Sequence, residues 1–306
     1  MRAAVVDVGS NSVRLLLMER MDPGGAVGER LVTVTGLRRG AAADGTVTPG
    51  AIARLDACLA EYGRRIELAG SPPVVAVGTS AVREAPNRAD IETAVRRHLR
   101  AELRVVTGEE EATLAFTGAR LVMDGAPGPC TVLDIGGGST EVVEGDESGP
   151  ARAVSLPLGV NRQGDLVVHD PPTADEVDRV TAEAVALVRG GTSGFGNDGV
   201  LIGVAGTVTT VAAVLRGAYD PEAIHGMVIT RDDVAQVLAA LAAAPASTRA
   251  LTPGLHPDRV NVIVPGLAML GGAMDALDAR EVVVSERDTL DGVAMGLART
   301  GDEPSP

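Results

Sequence analysis

Apolar and polar positions follow the same pattern at two places along the chain. Residues 5–17 read VVDVGSNSVRLLL and residues 132–144 read VLDIGGGSTEVVE, and a shift of 127 residues places Asp7 on Asp134. Apolar runs on both sides of a bend rich in glycine and serine predict two strands joined by a tight turn. Because this hairpin occurs twice, the sequence predicts a duplicated unit.

The rest of the chain predicts strands and helices in both halves. In the first half we expect strands near residues 3–8, 13–19, 30–35, 73–83 and 103–108, with 73–83 running into a polar loop, and helices near 46–70, 88–102 and 109–123. Thr48 is expected to cap the first helix, with Pro49 at its first position and Gly70 at its end. In the second half strands flank the second bend and recur near 152–159, 199–207 and 281–286, with helices near 173–191, 208–217, 231–244, 262–279 and 288–299, and the helix at 262–279 is expected to be buried. Residues 189–199 are predicted to form a surface loop, and the tail after Thr300 to be disordered.

Domain organisation follows from a break in this pattern. The segment GAPGPC at 125–130 interrupts the regular elements and places a boundary near residues 118–130. We predict an α/β protein of two mixed lobes, 1–121 and 122–306, with the alternative that the last helix packs back on the first lobe. If both bends face a shared cleft, they would hold one ligand between the lobes.

Composition narrows the possible functions. The chain has 306 residues, 45% hydrophobic and 1% aromatic, which suits two domains with aliphatic cores. A net charge of −14 disfavours a broad nucleic-acid-binding face, but a locally positive cleft could still bind an anion. No apolar run approaches the ~20 residues of a membrane span and no signal-peptide pattern is seen, so we expect a cytoplasmic protein without membrane partners. Cys58 and Cys130 are expected to be core residues.

The second bend has the composition of a phosphate-binding loop. It is formed by Gly136, Gly137, Gly138, Ser139 and Thr140. Glycine lets backbone amides crowd an anion, and the two hydroxyls add donors. The alternative is a hairpin turn without a ligand. A dinucleotide-binding loop is excluded because a strand follows the glycines, and a P-loop because no Gly-Lys-Ser/Thr follows.

Carboxylates next to the bends suggest a metal ion. Asp134 precedes the glycines and Glu141 follows the loop, and Mg²⁺ binds few protein ligands together with phosphate oxygens and water. Asp7 mirrors Asp134 in the first bend, where Ser10, Asn11 and Ser12 offer donors. The alternative for the first bend is an ordinary polar turn.

Two further segments are candidates for the same chemistry. In IGVAGTVTTV a strand ends and a helix begins. Gly206 and Thr207 would therefore let a ligand approach the free backbone amides at the start of the helix. The alternative is an ordinary strand–turn–helix without a ligand. Glu109, Glu110 and Glu111 start a helix, where they favour its dipole. One of them could instead deprotonate a water, but the spacing does not say which. Arg83 could contact a phosphate or be a surface ion-pair partner.

Six segments in order resemble the exopolyphosphatase and guanosine pentaphosphate phosphatase family of the actin-like ATPase superfamily. They are VVDVGSNSVRLL, VGTSAVREAPN, TGEEEATLAFTGA, VLDIGGGSTEVV, GVAGTVTTVAA and VIVPGLAML. They are distributed between residues 5 and 270, so the resemblance covers essentially the whole chain. The resemblance implies two ribonuclease-H-like domains with mixed sheets flanked by helices, and an active site in the cleft between them. It also implies removal of a terminal phosphate from inorganic polyphosphate, guanosine pentaphosphate or both, with Mg²⁺.

The resemblance also implies roles for individual residues. The family's catalytic glutamate, the one before alanine in Glu-Glu-Ala, matches Glu111, and its arginine after Thr-Ser-Ala matches Arg83. Its metal-site acids match Asp134 and Glu141. Its phosphate-binding residues match Asn11, Ser12, Gly136, Gly137, Gly138 and Ser139.

Two departures and several alternatives qualify this interpretation. The chain lacks the helical C-terminal region of longer members, which suggests shorter polyphosphate chains as substrates. SERDTLDG at 285–292 has Arg287 and Leu290 where many members have glycine and arginine. Besides an exopolyphosphatase, the alternatives are a guanosine pentaphosphate phosphatase, a kinase of the superfamily that would hold adenosine at VAGT, and a nucleotide-switched assembly module. A homodimer is expected by family analogy only.

Overall fold

The fold is taken from a computed structural model, which describes residues 2–39, 41–42, 44–123, 125–196 and 199–300. The strands are β1 (Ala3–Val8), β2 (Ser12–Asp22), β3 (Gly25–Val34), β4 (Val74–Gly78), β5 (Leu103–Val105), β6 (Cys130–Ile135), β7 (Thr140–Asp146), β8 (Gly149–Leu156), β9 (Val200–Val204), β10 (Val228–Thr230) and β11 (Glu281–Val284). The α-helices are α1 (Pro49–Leu68), α2 (Ser80–Glu84), α3 (Arg88–Leu99), α4 (Gly108–Ala119), α5 (Val160–Gly164), α6 (Ala174–Gly191), α7 (Ala205–Arg216), α8 (Pro221–Ile224), α9 (Arg231–Ala242), α10 (Ala246–Arg249), α11 (Ile263–Ala276) and α12 (Thr289–Thr300). Short 3-10 turns span Arg120–Met123 and Pro257–Arg259.

The chain divides into two units, each with its own sheet. Unit 1 comprises Met1–Gly118 and Thr289–Pro306, and unit 2 comprises Ala119–Asp288. The sheet of unit 1 has the strand order β3-β2-β1-β4-β5, and that of unit 2 has the order β10-β11-β9-β6-β7-β8. In both sheets an antiparallel hairpin is extended by a parallel strand that arrives after a helical connection.

Strand registers are identical in the two hairpins. Asp7 pairs with Arg14 across β1 and β2, and Asp134 pairs with Glu141 across β6 and β7. The parallel neighbours obey the same shift of 127 residues, since Asp7 lies opposite Val77 and Asp134 opposite Val204. The duplicated hairpin predicted from the sequence is therefore confirmed. The duplication also includes β4 and β9, which the sequence did not reveal.

Alternation along β1 assigns its two faces to two different cores. Ala4, Val6 and Val8 pack with the buried sides of α1 and α3. Ala3 and Val5 point the opposite way and share a cluster with buried residues of α12. Because both faces are covered, all six residues of β1 are buried.

Helix α12 changes the domain boundaries expected from the sequence. The predicted lobes are 1–121 and 122–306, but the chain from Thr289 belongs to unit 1, which corresponds to the alternative that the last helix packs back on the first lobe. Leu290, Val293 and Ala294 form an apolar stripe that is buried against the sheet of unit 1. Burial of this stripe is the physical reason that the last helix belongs to the first unit.

Unit 2 is built around one helix that is buried along most of its length. Within α11 the residues from Ile263 to Met274 are all buried, as the continuous apolar run predicted. Helices α6, α7 and α9 contribute to the same core. Helix α6 begins with a capping box, in which Thr173 Oγ1 accepts from the amide of Glu176 and the amide of Thr173 donates to the Glu176 carboxylate.

Most predicted elements are present, with differences at their ends. Thr48 caps α1 and Pro49 begins it, as predicted. The expected strand 73–83 ends at Gly78, because the chain turns at once into α2. Strand β10 was missed because three residues show no alternation. Helix α6 occupies the start of the expected loop 189–199, while residues 197–198 and the tail after Thr300 lie outside the described residues.

Among the helices in the described ranges, none is both long and apolar enough to span a membrane.

Substitutions in α1 test its packing against α3. A Cβ at Gly63 would lie 2.4 Å from the carbonyl oxygen of His98, whereas a Cβ at Gly50 in the same helix would lie 3.8 Å from its nearest neighbour, Arg54 Nη1. We expect Gly63→Ala to lower the free energy of unfolding by ~1–3 kcal/mol through overpacking. Gly50→Ala should be neutral or stabilising by up to ~1 kcal/mol. Equal melting temperatures of the two variants would contradict the close packing.

Candidate active site

The three glutamates at 109–111 lie in different environments at the start of helix α4. The amide of Glu110 donates to Thr107 Oγ1 at 3.1 Å, and the amide of Thr107 donates to Glu110 Oε2 at 2.8 Å. Glu110 therefore closes a capping box, and Arg104 holds its second oxygen at 3.0 Å. Glu109 is exposed, while Glu111 is only 8% exposed. Of the three carboxylates, only that of Glu111 is buried in unit 1.

Arg83 fixes the carboxylate of Glu111. Its Nη1 donates to Glu111 Oε2 at 3.0 Å and to the carbonyl oxygen of Val106 at 2.9 Å. The arginine reaches this position because α2 starts directly at the end of β4, next to β5 and the start of α4. The structure thus places Arg83 in an ion pair with Glu111 rather than with a surface residue.

A second ion pair lies in the electrostatic neighbourhood of Glu111. Arg14 donates to Asp7 Oδ2 from Nε at 2.9 Å and from Nη2 at 2.5 Å. Asp7 is 2% exposed and its side chain is opposite Arg14 because the two residues are paired across β1 and β2. The negative charge of Asp7 raises the pKa of Glu111, and the positive charge of Arg14 lowers it.

Burial is the largest influence on the pKa of Glu111 and raises it above the ordinary value for glutamate. The hydrogen bond from Arg83 lowers the pKa, the negative charge of Asp7 raises it, and the charges of Arg83 and Arg14 lower it, but the net direction is upward. Glu110 shows the opposite, because the amide of Thr107 lowers its pKa. A carboxylate with a raised pKa is the more suitable proton acceptor.

The bend of unit 1 uses its carbonyl groups for internal bonds. Gly9 N donates to Ser12 O at 3.0 Å, and the carbonyls of Ser10 and Asn11 accept amide hydrogen bonds from the segment that follows β3. A Cβ at Gly9 would lie 3.0 Å from Ser12 O, so the turn favours glycine. Within the described part of the chain, Asn11 Oδ1 is buried and makes no hydrogen bond. A buried polar atom without a partner is typical of a ligand or water site.

The bend of unit 2 repeats this arrangement. Gly136 N donates to Ser139 O at 2.9 Å, and the carbonyls of Gly136 and Gly137 accept from the start of α5 at 3.1 and 3.0 Å. Across the residues that the structure describes, the amides of Gly137, Gly138 and Ser139 donate to no backbone carbonyl. Amides left over in this way are available to an anion.

Asn161 adds a donor beside this bend. Its backbone amide donates to Gly137 O at 3.0 Å. Its side-chain Nδ2 is buried and has no acceptor among the described residues. No sequence pattern pointed to this residue, because it lies in α5, outside the repeated segments. A buried NH₂ group next to a glycine loop supports the prediction that the loop binds an anion.

Asp134 and Glu141 are the residues best suited to a metal ion. They lie directly opposite each other on β6 and β7, with exposures of 7% and 2%, and Ser155 Oγ donates to Glu141 Oε1 at 2.7 Å. Two buried carboxylates side by side favour a cation between or beside them. No group of three or more His, Cys, Asp or Glu side chains in the described ranges is arranged to hold a metal. Mg²⁺ commonly uses only one or two carboxylates, so this pair fits it chemically.

Asp7 fits the predicted metal role less well. Its counterpart across the strands is Arg14, whereas the counterpart of Asp134 is Glu141. Both hydrogen bonds from the Arg14 guanidinium group fall on Oδ2, so a metal at Asp7 would have to bind through Oδ1, close to a positive charge. The predicted metal role of Asp7 stays a prediction, and the Arg14 ion pair argues against it.

The turn between β9 and α7 is less open to a ligand than the sequence led us to expect. A Cβ at Gly206 would lie 1.6 Å from Arg259 Nη1, so the guanidinium group fills the space that the glycine leaves. Thr207 is 4% exposed and packs toward Gly266 of α11. Ala205 has a φ of 63°, a strained value for a residue with a Cβ. The phosphate-binding roles of Gly206 and Thr207 stay predictions.

The chain is similar in sequence and in structure to known proteins. Exopolyphosphatase 2 of Mycobacterium tuberculosis (strain ATCC 25618 / H37Rv) is 35% identical over 319 residues, covering 97% of this chain and 98% of that protein. Exopolyphosphatase 1 of Mycobacterium bovis is 31% identical over 296 residues, covering 93% of this chain and 84% of that protein. The crystal structure of the Aquifex aeolicus member of the Ppx/GppA family has a TM-score of 0.82 and 26% identity, over 99% of both chains.

The two sheets and their repeated hairpins define a protein of two actin-like domains, the architecture shared with the solved structures. A structure described as an exopolyphosphatase-like protein has a TM-score of 0.91 and 27% identity, over 99% of this chain and 100% of that one. The family model of the Ppx/GppA phosphatases matches residues 5–300, so the chain belongs to the Ppx/GppA phosphatase family and is a hydrolase. The family resemblance seen in the sequence is confirmed.

The structure groups the predicted site residues by unit. Unit 1 holds Asp7, Ser10, Asn11, Ser12, Arg83 and Glu111, and unit 2 holds Asp134, Gly136, Gly137, Gly138, Ser139, Thr140, Glu141, Gly206 and Thr207. Joint binding of one ligand by both bends stays a prediction. Sequence reasoning missed Arg14, although the shift of 127 residues placed it on Glu141 and so marked it.

A titration tests the environment of Glu111. Carbon-detected NMR of the side-chain carboxyls should show the pKa of Glu111 above the ordinary range and that of Glu110 below it. Arg83→Ala should raise the pKa of Glu111 further, because it removes a donor and a positive charge that favour the ionised form. A lower pKa in the variant would mean that the guanidinium does not control this carboxylate.

Proposed function

We propose that the chain is an Mg²⁺-dependent exopolyphosphatase, which hydrolyses the terminal phosphate of inorganic polyphosphate by means of a water activated by Glu111. The observation that carries this proposal is the buried Glu111 carboxylate, held by Arg83 and with a raised pKa. The names of the M. tuberculosis and M. bovis relatives, both exopolyphosphatases, support polyphosphate as the substrate.

Glu111 has the geometry of a general base. Its Oε2 accepts the hydrogen bond from Arg83, which leaves Oε1 to take a proton from the attacking water. The water oxygen forms a bond to the terminal phosphorus, and the bond from that phosphorus to the bridging oxygen breaks. The products are free phosphate and a polyphosphate shorter by one unit, and the proton resides on Oε1 until it is released.

Backbone amides and Arg83 would stabilise the negative charge of the transferred group. The amides of Gly137, Gly138 and Ser139 and the Nδ2 of Asn161 are donors held in place by the fold of unit 2. Such fixed donors need no reorganisation during the reaction and are therefore effective at a developing charge. Arg83 contributes positive charge in unit 1 while it orients Glu111.

Asp134 and Glu141 would hold Mg²⁺. When bound, the ion neutralises charge on the phosphate oxygens, which lowers the cost of bringing a polyanion to carboxylates. Ser155 orients Glu141 by donating to its Oε1.

Guanosine pentaphosphate is the alternative substrate, because it also ends in a phosphoric anhydride and gives the family part of its name. The chain has two Tyr, two Phe and no Trp, which disfavours a pocket that stacks a base on an aromatic ring. We therefore place polyphosphate first.

Replacement of the base tests the proposal directly. Glu111→Gln keeps the size of the side chain and should fold normally, yet lose ~10²–10⁴-fold in the rate of phosphate release. Glu109→Gln, in the same turn but exposed, is the matched control and should retain wild-type activity. Phosphate release is measured on short polyphosphate, long polyphosphate and guanosine pentaphosphate.

Each result of that assay has a defined meaning. If the wild-type chain released phosphate faster from guanosine pentaphosphate than from polyphosphate, guanosine pentaphosphate would be the preferred substrate. Transfer to an acceptor without free phosphate would indicate a kinase. A fully active Glu111→Gln variant would remove Glu111 from the mechanism.

Magnesium titration tests the role of the carboxylate pair. Glu141→Gln should raise the Mg²⁺ concentration needed for half-maximal activity, because it removes one charged oxygen ligand from the pair. Glu144→Gln is the control, since Glu144 lies on the same strand but pairs with Arg152 near the surface. An unchanged Mg²⁺ requirement in Glu141→Gln would place the ion elsewhere.

A further inference from the structure

Helix α12 touches the backbone of the helix that carries Glu111. A Cβ at Gly292 would lie 2.0 Å from the carbonyl oxygen of Leu114 and 2.9 Å from its Cα. Leu114 belongs to α4, one turn after Glu111. Only glycine at position 292 allows the two helices to approach this closely.

An ion pair holds α12 in this position. Arg30 on β3 donates to Asp291 Oδ2 from Nη1 at 2.9 Å and to Oδ1 from Nη2 at 2.6 Å. Asp291, the residue before Gly292, is fully buried, and Arg30 Nη2 also donates to Ala26 O at 3.1 Å. A two-pronged arginine–carboxylate contact fixes direction as well as distance. The start of α12 is therefore anchored to the sheet of unit 1.

The same helix also supports the partner of Glu111. Leu290, Val293 and Ala294 pack in one cluster with Val106, and Leu114 packs against that cluster. The carbonyl oxygen of Val106 accepts a hydrogen bond from Arg83 Nη1. Helix α12 thus meets the backbone of α4 on one side of the Arg83–Glu111 pair and shares an apolar cluster with Val106 on the other.

From these contacts we propose that α12 positions the Glu111 carboxylate relative to Arg83, and that Gly292 is a positioning residue for the hydrolytic reaction. The inference rests on the proposed function, because it assigns an effect on catalysis through Glu111. Gly292 itself touches neither Glu111 nor Arg83. It acts by setting how closely α4 lies against α12.

Two glycines of α12 provide a matched pair of variants. Gly292→Ala must push α12 away from Leu114, whereas a Cβ at Gly296, one turn later, meets no atom within 4 Å. Both substitutions make the same chemical change in the same helix. We expect Gly292→Ala to lower kcat for polyphosphate about 10- to 100-fold, because a displacement of the catalytic carboxylate by about 1 Å has an effect of this size. Gly296→Ala should leave kcat unchanged.

A double-mutant cycle separates positioning from a loss of folded protein. If Gly292 acts through Glu111, Gly292→Ala should cost less than about twofold in the Glu111→Gln background, because the base is already absent. If it only lowers the amount of active enzyme, the same 10- to 100-fold loss should appear in both backgrounds. Full additivity would overturn the inference and leave the proposed function in place.

A second variant covers the case in which Gly292→Ala does not fold. Val293→Ala removes two buried methyl groups from α12 without a clash, and Val237→Ala is a similarly buried control in unit 2. The same cycle with Glu111→Gln should again be non-additive for Val293→Ala only. Additive effects of both valine variants would overturn the inference. A wild-type chain inactive on polyphosphate and guanosine pentaphosphate would overturn the proposed function, and this inference with it.

Discussion

The register of one antiparallel hairpin is the constraint on which both units depend. In each unit a glycine at the start of the turn donates to the carbonyl of a serine three residues later, and that bond fixes which residues of the two strands face each other. A slip of one residue would turn every side chain to the opposite face of the sheet. The turn therefore determines the core pattern of β1 and β6, and also which charged side chains meet at the carboxyl end of each strand.

The same register gives opposite chemistry in the two units. In unit 1 the paired positions hold Asp7 and Arg14, which neutralise each other. In unit 2 they hold Asp134 and Glu141, two acids with little exposure. An acid–base pair is neutral as a whole, whereas two adjacent buried acids are stable as anions only near positive charge. One change of residue type at the same register position thus converts an ion pair into a pair of acids.

Much of this arrangement could be predicted from the sequence, because local patterns determine it. The repeated hairpin, the capped start of α1 and the buried α11 all follow from short-range periodicity and capping residues. The return of α12 to unit 1 could be predicted only as an alternative, since its apolar stripe fits any exposed apolar face. The same limit applies to the filling of the space at Gly206 by Arg259, which joins residues far apart in the chain.

The three consecutive glutamates show the same limit within one turn of helix. Their spacing offers three equal candidates, and the resemblance to a family selects Glu111. The structure gives the physical basis of that selection, because Thr107 and Arg104 occupy Glu110, while Glu109 remains in solvent. Only the third carboxylate turns inward to a buried environment.

The proposed role of Glu111 as a general base depends on two opposing influences on its carboxylate. Burial raises its pKa and so increases its affinity for a proton. Arg83 opposes that effect with a hydrogen bond and a positive charge, which favour the ionised form, and Arg14 adds a weaker contribution of the same sign. The balance depends on the short distance between the guanidinium group of Arg83 and the carboxylate. A catalytic carboxylate of this kind therefore needs rigid supports around it, and the close contact of α12 with α4 provides one from the far end of the chain.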